Sequence, residues 1–265
     1  MWSILLVLIA AMLAANVKMK TEYDIVDKHD LHWNYHKVLD QHFRYLRIEG
    51  GNQTNIAFEQ SPNCSLRVLN DWYRGHDKLF DAFVHNDTLV INFTYQSNDF
   101  GEKWWMKYMT LVRIFSPELR VVSGNNTNLE MFKLKQKSLR VSMAGKSKFE
   151  VESFIPAFDS LDIKAKDSAE LVFEMSPEYK PATAIGQPGK KMVLPMGRDQ
   201  PIPDPGQVLA STESMSIQSL KAELLGYTLL DVGHAQVQHI QLNVADSAGL
   251  ILSGGALRRY CMPAN

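Results

Sequence analysis

The chain has 265 residues, 45% of them hydrophobic, and a formal net charge of −1. This length and composition suffice for one large domain or two small ones with a hydrophobic core. The near-neutral charge argues against nucleic acid as a partner, because nucleic-acid binding requires a clustered basic face. The two cysteines, Cys64 and Cys261, lie far apart without metal-ligand spacing. They are interpreted as free thiols, with a disulfide in an exported protein as the alternative.

The first predicted element is an N-terminal hydrophobic helix, the uncharged run "WSILLVLIAAMLAANV" at residues 2–17. This run is shorter than the roughly 20 residues that span a bilayer comfortably, and it matches the apolar region of a signal peptide. No basic residue precedes it, and Lys18 and Lys20 follow it, an arrangement that the positive-inside rule associates with the opposite orientation. We interpret residues 1–17 as an export signal or an uncleaved membrane anchor rather than a buried core helix.

Residues 18–43 are expected to form a polar stalk. Four imidazoles lie there, at His29, His32, His36 and His42. Histidines three and four residues apart can share a helix face and bind a metal ion. The stretch is charged and mixed in composition, without a defined ligand geometry, so it is interpreted as a solvated linker and no metal is predicted.

A repeat follows the stalk and occupies most of the chain. The segment "SLRVSMAGKSKFEVES" (138–153) is similar to "SLDIKAKDSAELVFEM" (160–175). Apolar and polar residues alternate within each unit, which is typical of a strand with one buried face. Equivalent units start at Leu46, Leu119, Leu139, Leu161, Leu220 and Ile240. Ten residues after the start, the aligned column holds Ile56, Leu129, Phe149, Leu171, Leu230 and Leu250.

Six residues after each start, the column holds residue types that adopt a left-handed backbone at low cost. Its members are Asn52, Asn125, Gly145, Asp167, Gly226 and Asp246. Each unit is therefore interpreted as strand, corner, strand, and stacked units would bury a continuous apolar column. We predict an all-β fold, a single-stranded parallel β-solenoid (β-helix) with rungs of about 20 residues over 44–260. An antiparallel β-sandwich is the alternative.

Two regions depart from the repeat. Residues 71–117 are expected to form an elaborated rung or side hairpin, with strand candidates at 87–95 and 108–115. Residues 177–211 are rich in proline, which removes donors from a strand ladder, so they are interpreted as an excursion from the solenoid.

The repeat units resemble a known family. The segments at 138–153 and 160–175, together with "HIQLNVADSAGLILSG" at 239–254, are similar to the head GIN domain of putative auto-transporter adhesins from exported Bacteroidetes proteins. The resemblance covers roughly residues 43–260. It implies a β-solenoid behind a signal or anchor, and it brings no catalytic residues with it.

Trp104 and Trp105, flanked by lysines, are the candidate recognition residues. Adjacent tryptophans of this kind contact membrane surfaces or stack on sugar rings. Neighbours on a strand point to opposite faces, so a core residue beside a rim residue is the alternative. The corner carboxylates Asp167 and Asp246 are a weak match to a calcium-binding ladder, because the other corners are Asn or Gly and no dense carboxylate cluster results.

No nucleophile elbow, phosphate loop, zinc motif or dinucleotide fingerprint occurs in the sequence. We therefore expect no cofactor and a non-enzymatic, exported protein of the cell envelope that serves as an adhesin-like binding protein or scaffold. The alternative is a carbohydrate-binding or carbohydrate-active solenoid that uses Trp104 and Trp105. The expected partners are a protein or glycan at the envelope, the membrane if the N-terminal segment is uncleaved, and further copies of the chain through uncapped ends.

Overall fold

The computed structural model of this chain describes residues 2–25, 30–76, 80–94, 110–153, 155, 157–175, 215–233 and 235–252. The predicted N-terminal helix is present as α1, Trp2–Ile25. The apolar side chains that the structure describes in this helix are exposed, among them Val7 and Met12. Among the described residues, no helix combines the length and apolar character needed to cross a bilayer.

Strands within the described residues form two sheets, which we call sheet A and sheet B. The strands are numbered along the chain. Across sheet A the nine strands follow one another in the order β1 (Tyr35–Leu39), β4 (Ser65–Leu69), β7 (Thr110–Ser116), β3 (Asn55–Gln60), β9 (Asn128–Leu134), β11 (Lys148–Ser153), β13 (Glu170–Met175), β15 (Leu229–Asp231) and β17 (Gly249–Ile251). Across sheet B the eight strands follow in the order β16 (Gln236–Val244), β14 (Ser216–Leu224), β12 (Ala157–Ala165), β10 (Ser138–Ala144), β8 (Val121–Asn125), β2 (Tyr45–Glu49), β6 (Thr88–Phe93) and β5 (Phe80–His85).

The prediction of a single-stranded parallel β-solenoid is wrong, because the chain builds two sheets of mixed strand direction. Among the described strands, three pairings are antiparallel: β1 with β4, β4 with β7, and β5 with β6. The turn between β5 and β6 shows the physical cause. Asn86 and Asp87 both have positive φ, at 48° and 62°, which is the conformation of a two-residue hairpin turn that reverses the chain. The periodicity of the repeat carries no information on such reversals.

The two strand candidates in the departure region correspond to β6 and β7. Residues 35–39, inside the segment expected to be a stalk, form β1 and pair with β4. The other pairings between described strands are parallel, and from β7 onward successive strands alternate between the sheets, so that β10 lies in sheet B and β11 in sheet A.

The predicted alignment of second strands is confirmed by the ladder of sheet A. Ile56 pairs with Leu129, which pairs with Phe149, and the series continues through Leu171, Leu230 and Leu250. In sheet B the start residues Leu139, Leu161, Leu220 and Ile240 also pair in order. Leu46 instead pairs with Val122. The first strands of the first two units are therefore displaced from the predicted register, because the corners that connect them to their aligned second strands differ in length.

The inward side chains of both sheets form one hydrophobic core. Phe149 and Phe173 lie in it with ring centroids 5.9 Å apart at 63°, an edge-to-face geometry favoured by aromatic pairs. Each large side chain buried there contributes roughly 1.5–3 kcal/mol relative to exposure. The largest fully buried residues include Phe43, Phe58, Phe149, Phe158 and Phe173.

The two ends of the sheet pair differ. At the β1 and β5 end lies the short helix α2, Asn70–His76, which contacts β1 and β4. Its buried Trp72 packs edge-on against Phe80 of β5 at 6.1 Å, so α2 links the two sheets. At the opposite end β16 and β17 are the last described strands of their sheets.

Candidate binding face

The solvent side of sheet B, which we call the polar face, is a regular surface formed by the exposed side chains of its eight described strands. It arises because side chains point alternately to the two faces of a strand. On β10 the side chains of Leu139, Val141 and Met143 are buried, whereas Ser138, Arg140 and Ser142 are exposed. Parallel register then places the exposed residues of neighbouring strands side by side.

Cross-strand ion pairs order the polar face. Arg140 pairs in register with Asp162, and its Nε donates to the Asp162 Oδ2 at 3.0 Å. Lys164 pairs with Glu223, with 3.2 Å between Nζ and Oε2. Exposed pairs of this kind contribute only about 0–1 kcal/mol each. Their effect is to hold long side chains in one arrangement, so that less rotamer entropy is lost when a partner binds.

A groove of about 430 Å³, the Arg140 groove, opens on this face across β2, β8, β10 and β12. Arg120 and Arg140 line it together with Tyr45, and Glu118 and Asp162 lie beside the two guanidinium groups. Tyrosine and arginine are residue types enriched at protein interfaces. The remaining lining residues are Val121, Ser138, Leu139 and Ser160.

A second groove of about 480 Å³, the β5 groove, lies on the same face at the α2 end. Phe83 is 43% exposed there and pairs across the hairpin with Val90, which pairs in turn with Arg47. Arg47 donates from Nε and Nη2 to the Glu49 Oε1, at 3.1 and 3.0 Å. An exposed aromatic ring therefore lies among hydrogen-bonding side chains, the others being His85, Asn86, Thr88 and Asn92.

The outer side of sheet A carries a different cluster, centred on Arg67 and Arg113, which we call the arginine pair. These residues face each other directly in the β4–β7 ladder, and like charges in that position repel. Each guanidinium has its own carboxylate: Arg67 contacts Asp30 at 2.5 Å, and Arg113 contacts Glu59. Arg113 also lies over the ring of Tyr35 at 5.2 Å. The charges balance, and the cluster fixes the turn that precedes β1.

His32 completes this cluster, with its Nε2 3.9 Å from Glu59 and its ring 5.2 Å from that of Phe115. Burial and the nearby guanidinium groups of Arg113 and Arg67 lower the pKa of His32, against the attraction of Glu59. Burial acts to raise the pKa of Asp30, but hydrogen bonds from the His32 backbone N–H and from Arg67 outweigh it and lower that pKa. His32 is therefore neutral and Asp30 ionised near pH 7.

Burial raises the pKa of Glu130, a half-buried carboxylate of sheet A, against a hydrogen bond that Asn55 donates at 3.1 Å. The neighbouring Glu150, its partner in the β9–β11 ladder, adds to the increase by charge repulsion. Among the described residues, no group of three or more His, Cys, Asp or Glu side chains has the arrangement needed to hold a metal ion.

The structure places the six predicted corner residues in different conformations. Gly145, Asp167 and Gly226 have positive φ, at 66°, 68° and 77°. They contact one another from layer to layer: Gly145 N–H donates to the Asp167 carboxylate at 3.1 Å, and Tyr227 N–H donates to the Asp167 carbonyl at 2.7 Å. The other three are not among the described residues with positive φ: Asn52, Asn125 and Asp246.

In the units of Asn52 and Asn125 the left-handed backbone falls on neighbouring residues. Gly50 and Gly51 both have φ of 85°, and Asn126 has φ of 51°. Ser247 of the last corner donates from its hydroxyl to the Gly226 carbonyl at 2.8 Å. Hydrogen bonds therefore connect the described corners from layer to layer.

The candidate residues Trp104 and Trp105 lie outside the described residues, as do Cys261 and His29. The other three histidines of the stalk have separate partners: His32 in the arginine pair cluster, His36 stacked on Tyr73 at 4.7 Å, and His42 3.1 Å from Asp87. Cys64 is free and lies 3.6 Å from the Ser116 hydroxyl.

Sequence reasoning missed both grooves and the arginine pair. The hairpin signal was available, because Asn86 and Asp87 separate two alternating runs. It would have placed Phe83 opposite Val90. No local pattern could bring Arg67 to Arg113, since their pairing depends on β4 running antiparallel to β7.

No family model matches the chain, and no curated protein matches it. Among solved structures, it is similar to a putative adhesin from Parabacteroides distasonis, with 10% identity and a TM-score of 0.43 over 82% of this chain and 80% of that chain. It is also similar to a putative adhesin from Bacteroides fragilis (14% identity, TM-score 0.34, 83% of this chain and 96% of that chain). A third similar structure is that of a putative lipid binding protein from Parabacteroides distasonis, with 9% identity and a TM-score of 0.32 over 83% of this chain and 94% of that chain. These neighbours include putative adhesins of Bacteroidetes, and none is described as a GIN domain; likenesses of this size assign neither a fold nor a function to the chain.

Proposed function

We propose that this chain is a non-enzymatic binding protein of the cell envelope that contacts a protein partner through the polar face of sheet B. The Arg140 groove is the observation that carries the proposal. Tyr45, Arg120 and Arg140 line one open groove on rigid strands, and these residue types supply much of the binding energy at protein interfaces. The ion pair between Arg140 and Asp162 holds the face in its binding-competent arrangement before the partner arrives.

The envelope location is supported by α1. The large apolar side chains described in this helix are exposed on every side of it, among them Ile4, Leu8 and Leu13, and a helix that is apolar all round is unstable in water. Targeting to the export machinery gives such a segment an apolar environment. The sheets then face the extracytoplasmic space.

Two experiments test this proposal. Protease treatment of intact cells, with a tag at the C-terminus and lysed cells as the control, shows where the chain lies. Loss of the tag on intact cells places the sheets at the surface, protection until lysis places them inside the envelope, and a tag in the cytosolic fraction contradicts the proposal.

The second experiment locates the partner. A photo-crosslinking amino acid at Ser138, on the polar face, should give a discrete adduct in cells that is lost when Arg120 and Arg140 are both changed to Ala. The same amino acid at Glu174, which is exposed on the outer side of sheet A, is the matched control and should give none. Equal adducts at both positions, or an adduct that survives the double substitution, would contradict a binding role for this groove.

Carbohydrate binding is the second candidate, and the β5 groove favours it. Phe83 offers an exposed ring, and Arg47, Asn86 and Asn92 offer planar hydrogen-bonding groups around it, which together suit the apolar faces and hydroxyl groups of a sugar. A glycan array with the wild-type chain and Phe83→Ala tests this. Tyr227→Ala is the control, because that ring is 79% exposed elsewhere on the molecule. A signal that only Phe83→Ala abolishes would support sugar binding, and a flat array would contradict it.

A further inference from the structure

Arg120 and Arg140 lie side by side in the Arg140 groove. Arg120 directly precedes β8 and Arg140 lies on β10, and the Arg140 N–H donates to the Arg120 carbonyl at 3.2 Å. Both side chains line the groove, and they are 52% and 63% exposed. Two guanidinium groups on neighbouring stretches of backbone are therefore presented to solvent at one place on the polar face.

The carboxylates beside these two arginines leave most of the guanidinium donors unused. Glu118 approaches Arg120 only to 3.7 Å, between Oε2 and Nε, which is too long for a hydrogen bond. Asp162 accepts from the Arg140 Nε at 3.0 Å. Within the described residues, neither guanidinium group donates any other hydrogen bond. Each guanidinium carries five N–H donors in a planar fork, so both forks have donors available to a ligand.

Arginines elsewhere in the structure are held more tightly by their carboxylates. Arg44 donates from Nε to the Asp87 Oδ2 at 2.6 Å, and Arg67 contacts Asp30 at 2.5 Å. Charge-assisted hydrogen bonds of this length are strong, and these two fasten the β5–β6 turn and the turn before β1. The groove arginines have looser contacts, which suits them to a partner outside the chain.

We propose that the Arg140 groove recognises an acidic segment of a protein partner, whose side-chain carboxylates bind to the guanidinium forks of Arg120 and Arg140. This inference rests on the proposed function, because it gives the chemistry of the partner that the polar face binds. A carboxylate is planar, and its two oxygens match two N–H groups of one fork. Asp162 would keep Arg140 in place through Nε while the Nη groups bind the partner, so little rotamer freedom is lost.

The charge of the groove favours a carboxylate over a phosphate group. Its lining contains Glu118 and Asp162 as well as the two arginines, so their charges cancel. A phosphate group carries a charge of about −1.5 to −2 at pH 7 and would meet both carboxylates, whereas a carboxylate brings a single charge. The hydroxyl-bearing residues of the lining are Tyr45, Ser138 and Ser160, and hydroxyl groups can donate to the remaining oxygens of a peptide.

The probe for this inference is a peptide that is uncharged except for two glutamates separated by one residue, so that both side chains point to the same side of an extended chain. Binding to the fluorescently labelled full-length chain is measured by thermophoresis as the peptide is raised to millimolar concentration. Wild type should bind it about tenfold or more tightly than the same peptide with glutamines. Tighter binding of a peptide with phosphoserines at these positions, or of an oligogalacturonate, would overturn the assignment to a protein carboxylate.

The double variant Arg120→Lys with Arg140→Lys keeps both charges and removes the planar forks. It should weaken binding of the glutamate peptide by about tenfold. Lys164→Gln is the matched control, because Lys164 lies on the polar face outside the groove lining and pairs with Glu223 at 3.2 Å; it should change binding by less than about twofold. Full binding by the double variant would overturn recognition by the forks, and an equal loss in Lys164→Gln would overturn the location in this groove.

The result also separates this inference from the proposed function. If the glutamate peptide does not bind, although the adduct at Ser138 forms in cells and depends on both arginines, a partner binds the groove through other chemistry and this inference alone fails. If the peptide binds to wild type and is lost in the double lysine variant, but no adduct forms in cells, the carboxylate site stands and the proposed partner in the envelope fails.

Discussion

Gln136 is the residue on which the connection between β9 and β10 depends. Its side chain is buried and makes three hydrogen bonds: the Oε1 accepts from the Leu119 N–H at 3.0 Å, and the Nε2 donates to the carbonyls of Leu119 and Ser138 at 2.7 and 2.9 Å. A buried backbone group that loses its partner costs about 1–3 kcal/mol. Gln136→Leu, which keeps the volume and removes the polar groups, should therefore lower the free energy of unfolding by about 2–4 kcal/mol.

Urea denaturation measures this, and Gln60→Leu is the control. Gln60 also bonds the backbone on both sides, accepting from the Lys135 N–H and donating to the Pro117 carbonyl. These contacts are exposed, so water replaces the lost bonds and the cost should stay below about 1 kcal/mol. Equal losses in the two variants would show that burial of Gln136 does not determine its contribution.

Gly226 shows why a corner position requires glycine. Its φ is 77°, and a Cβ there would lie 2.9 Å from the Asp167 carbonyl oxygen, a backbone atom that cannot rotate away. Gly226→Ala should cost about 2–3 kcal/mol from the left-handed backbone and the contact together. Gly75→Ala is the matched control, because nothing lies within 4 Å of its Cβ position in α2. It should be neutral or slightly stabilising in a thermal melt, and a comparable loss in both variants would contradict this account.

Elements of this fold were predictable from sequence to the extent that local pattern determines them. The predicted alignment of the second strands, from Ile56 to Leu250, is correct. Each of these strands begins at a similar distance from the corner before it, and inward-facing positions repeat every second residue. Strand direction was not predictable in the same way. The reversal at Asn86 and Asp87 leaves the alternation of β5 and β6 unchanged while it makes the pair antiparallel, and the β4–β7 pairing that assembles the arginine pair depends on contacts distant in sequence.

The turn before β1 should respond to acid because of His32 and Asp30. Both have a lowered pKa in the folded chain, so each contributes stability that is present above its unfolded pKa and is lost as the pH falls through the folded value. The loss of stability due to His32 begins below about pH 6.5, and the loss due to Asp30 begins below about pH 4. Glu130 has a raised pKa and acts in the opposite sense, contributing stability at low pH that is lost as its carboxyl ionises.

Comparison with His32→Gln isolates the loss of stability due to His32. From pH 7.5 to 5.5, the urea midpoint should fall more for wild type than for His32→Gln, because only the wild-type imidazole must gain a proton beside Arg67 and Arg113. Asp30→Asn is the control, since it retains His32 and should show the same loss as wild type or a larger one in this range. A wild-type midpoint that is as insensitive to pH as that of His32→Gln would contradict the assignment.

At the scale of the whole molecule, the described residues divide into the apolar helix α1 and a β body of two sheets. Composition alone predicted the helix α1, because an uncharged apolar run of this length is uncommon elsewhere in a protein sequence. The two-sheet body could not be distinguished from a single-stranded solenoid by periodicity, since both bury alternate residues and both stack equivalent positions in register. The polar face was predictable only in part, for the same reason. Alternation along β10 predicts that Arg140 is exposed, but the residues that lie beside it in the groove depend on the order of the strands in sheet B.

The division predicts that the β body keeps its stability without α1. The described apolar side chains of α1 are exposed, and β1 is the first element that pairs with a sheet. Removal of residues 2–25 should therefore leave the melting temperature of the body within about 2 °C of the full chain. Removal of residues 2–39 is the matched control. It deletes β1 and Asp30, and it strips Arg67 of its carboxylate, so the melting temperature should fall by about 5–10 °C. If the shorter deletion alone lowers the melting temperature to that extent, α1 packs on the sheets and its apolar surface is part of the fold rather than an export segment.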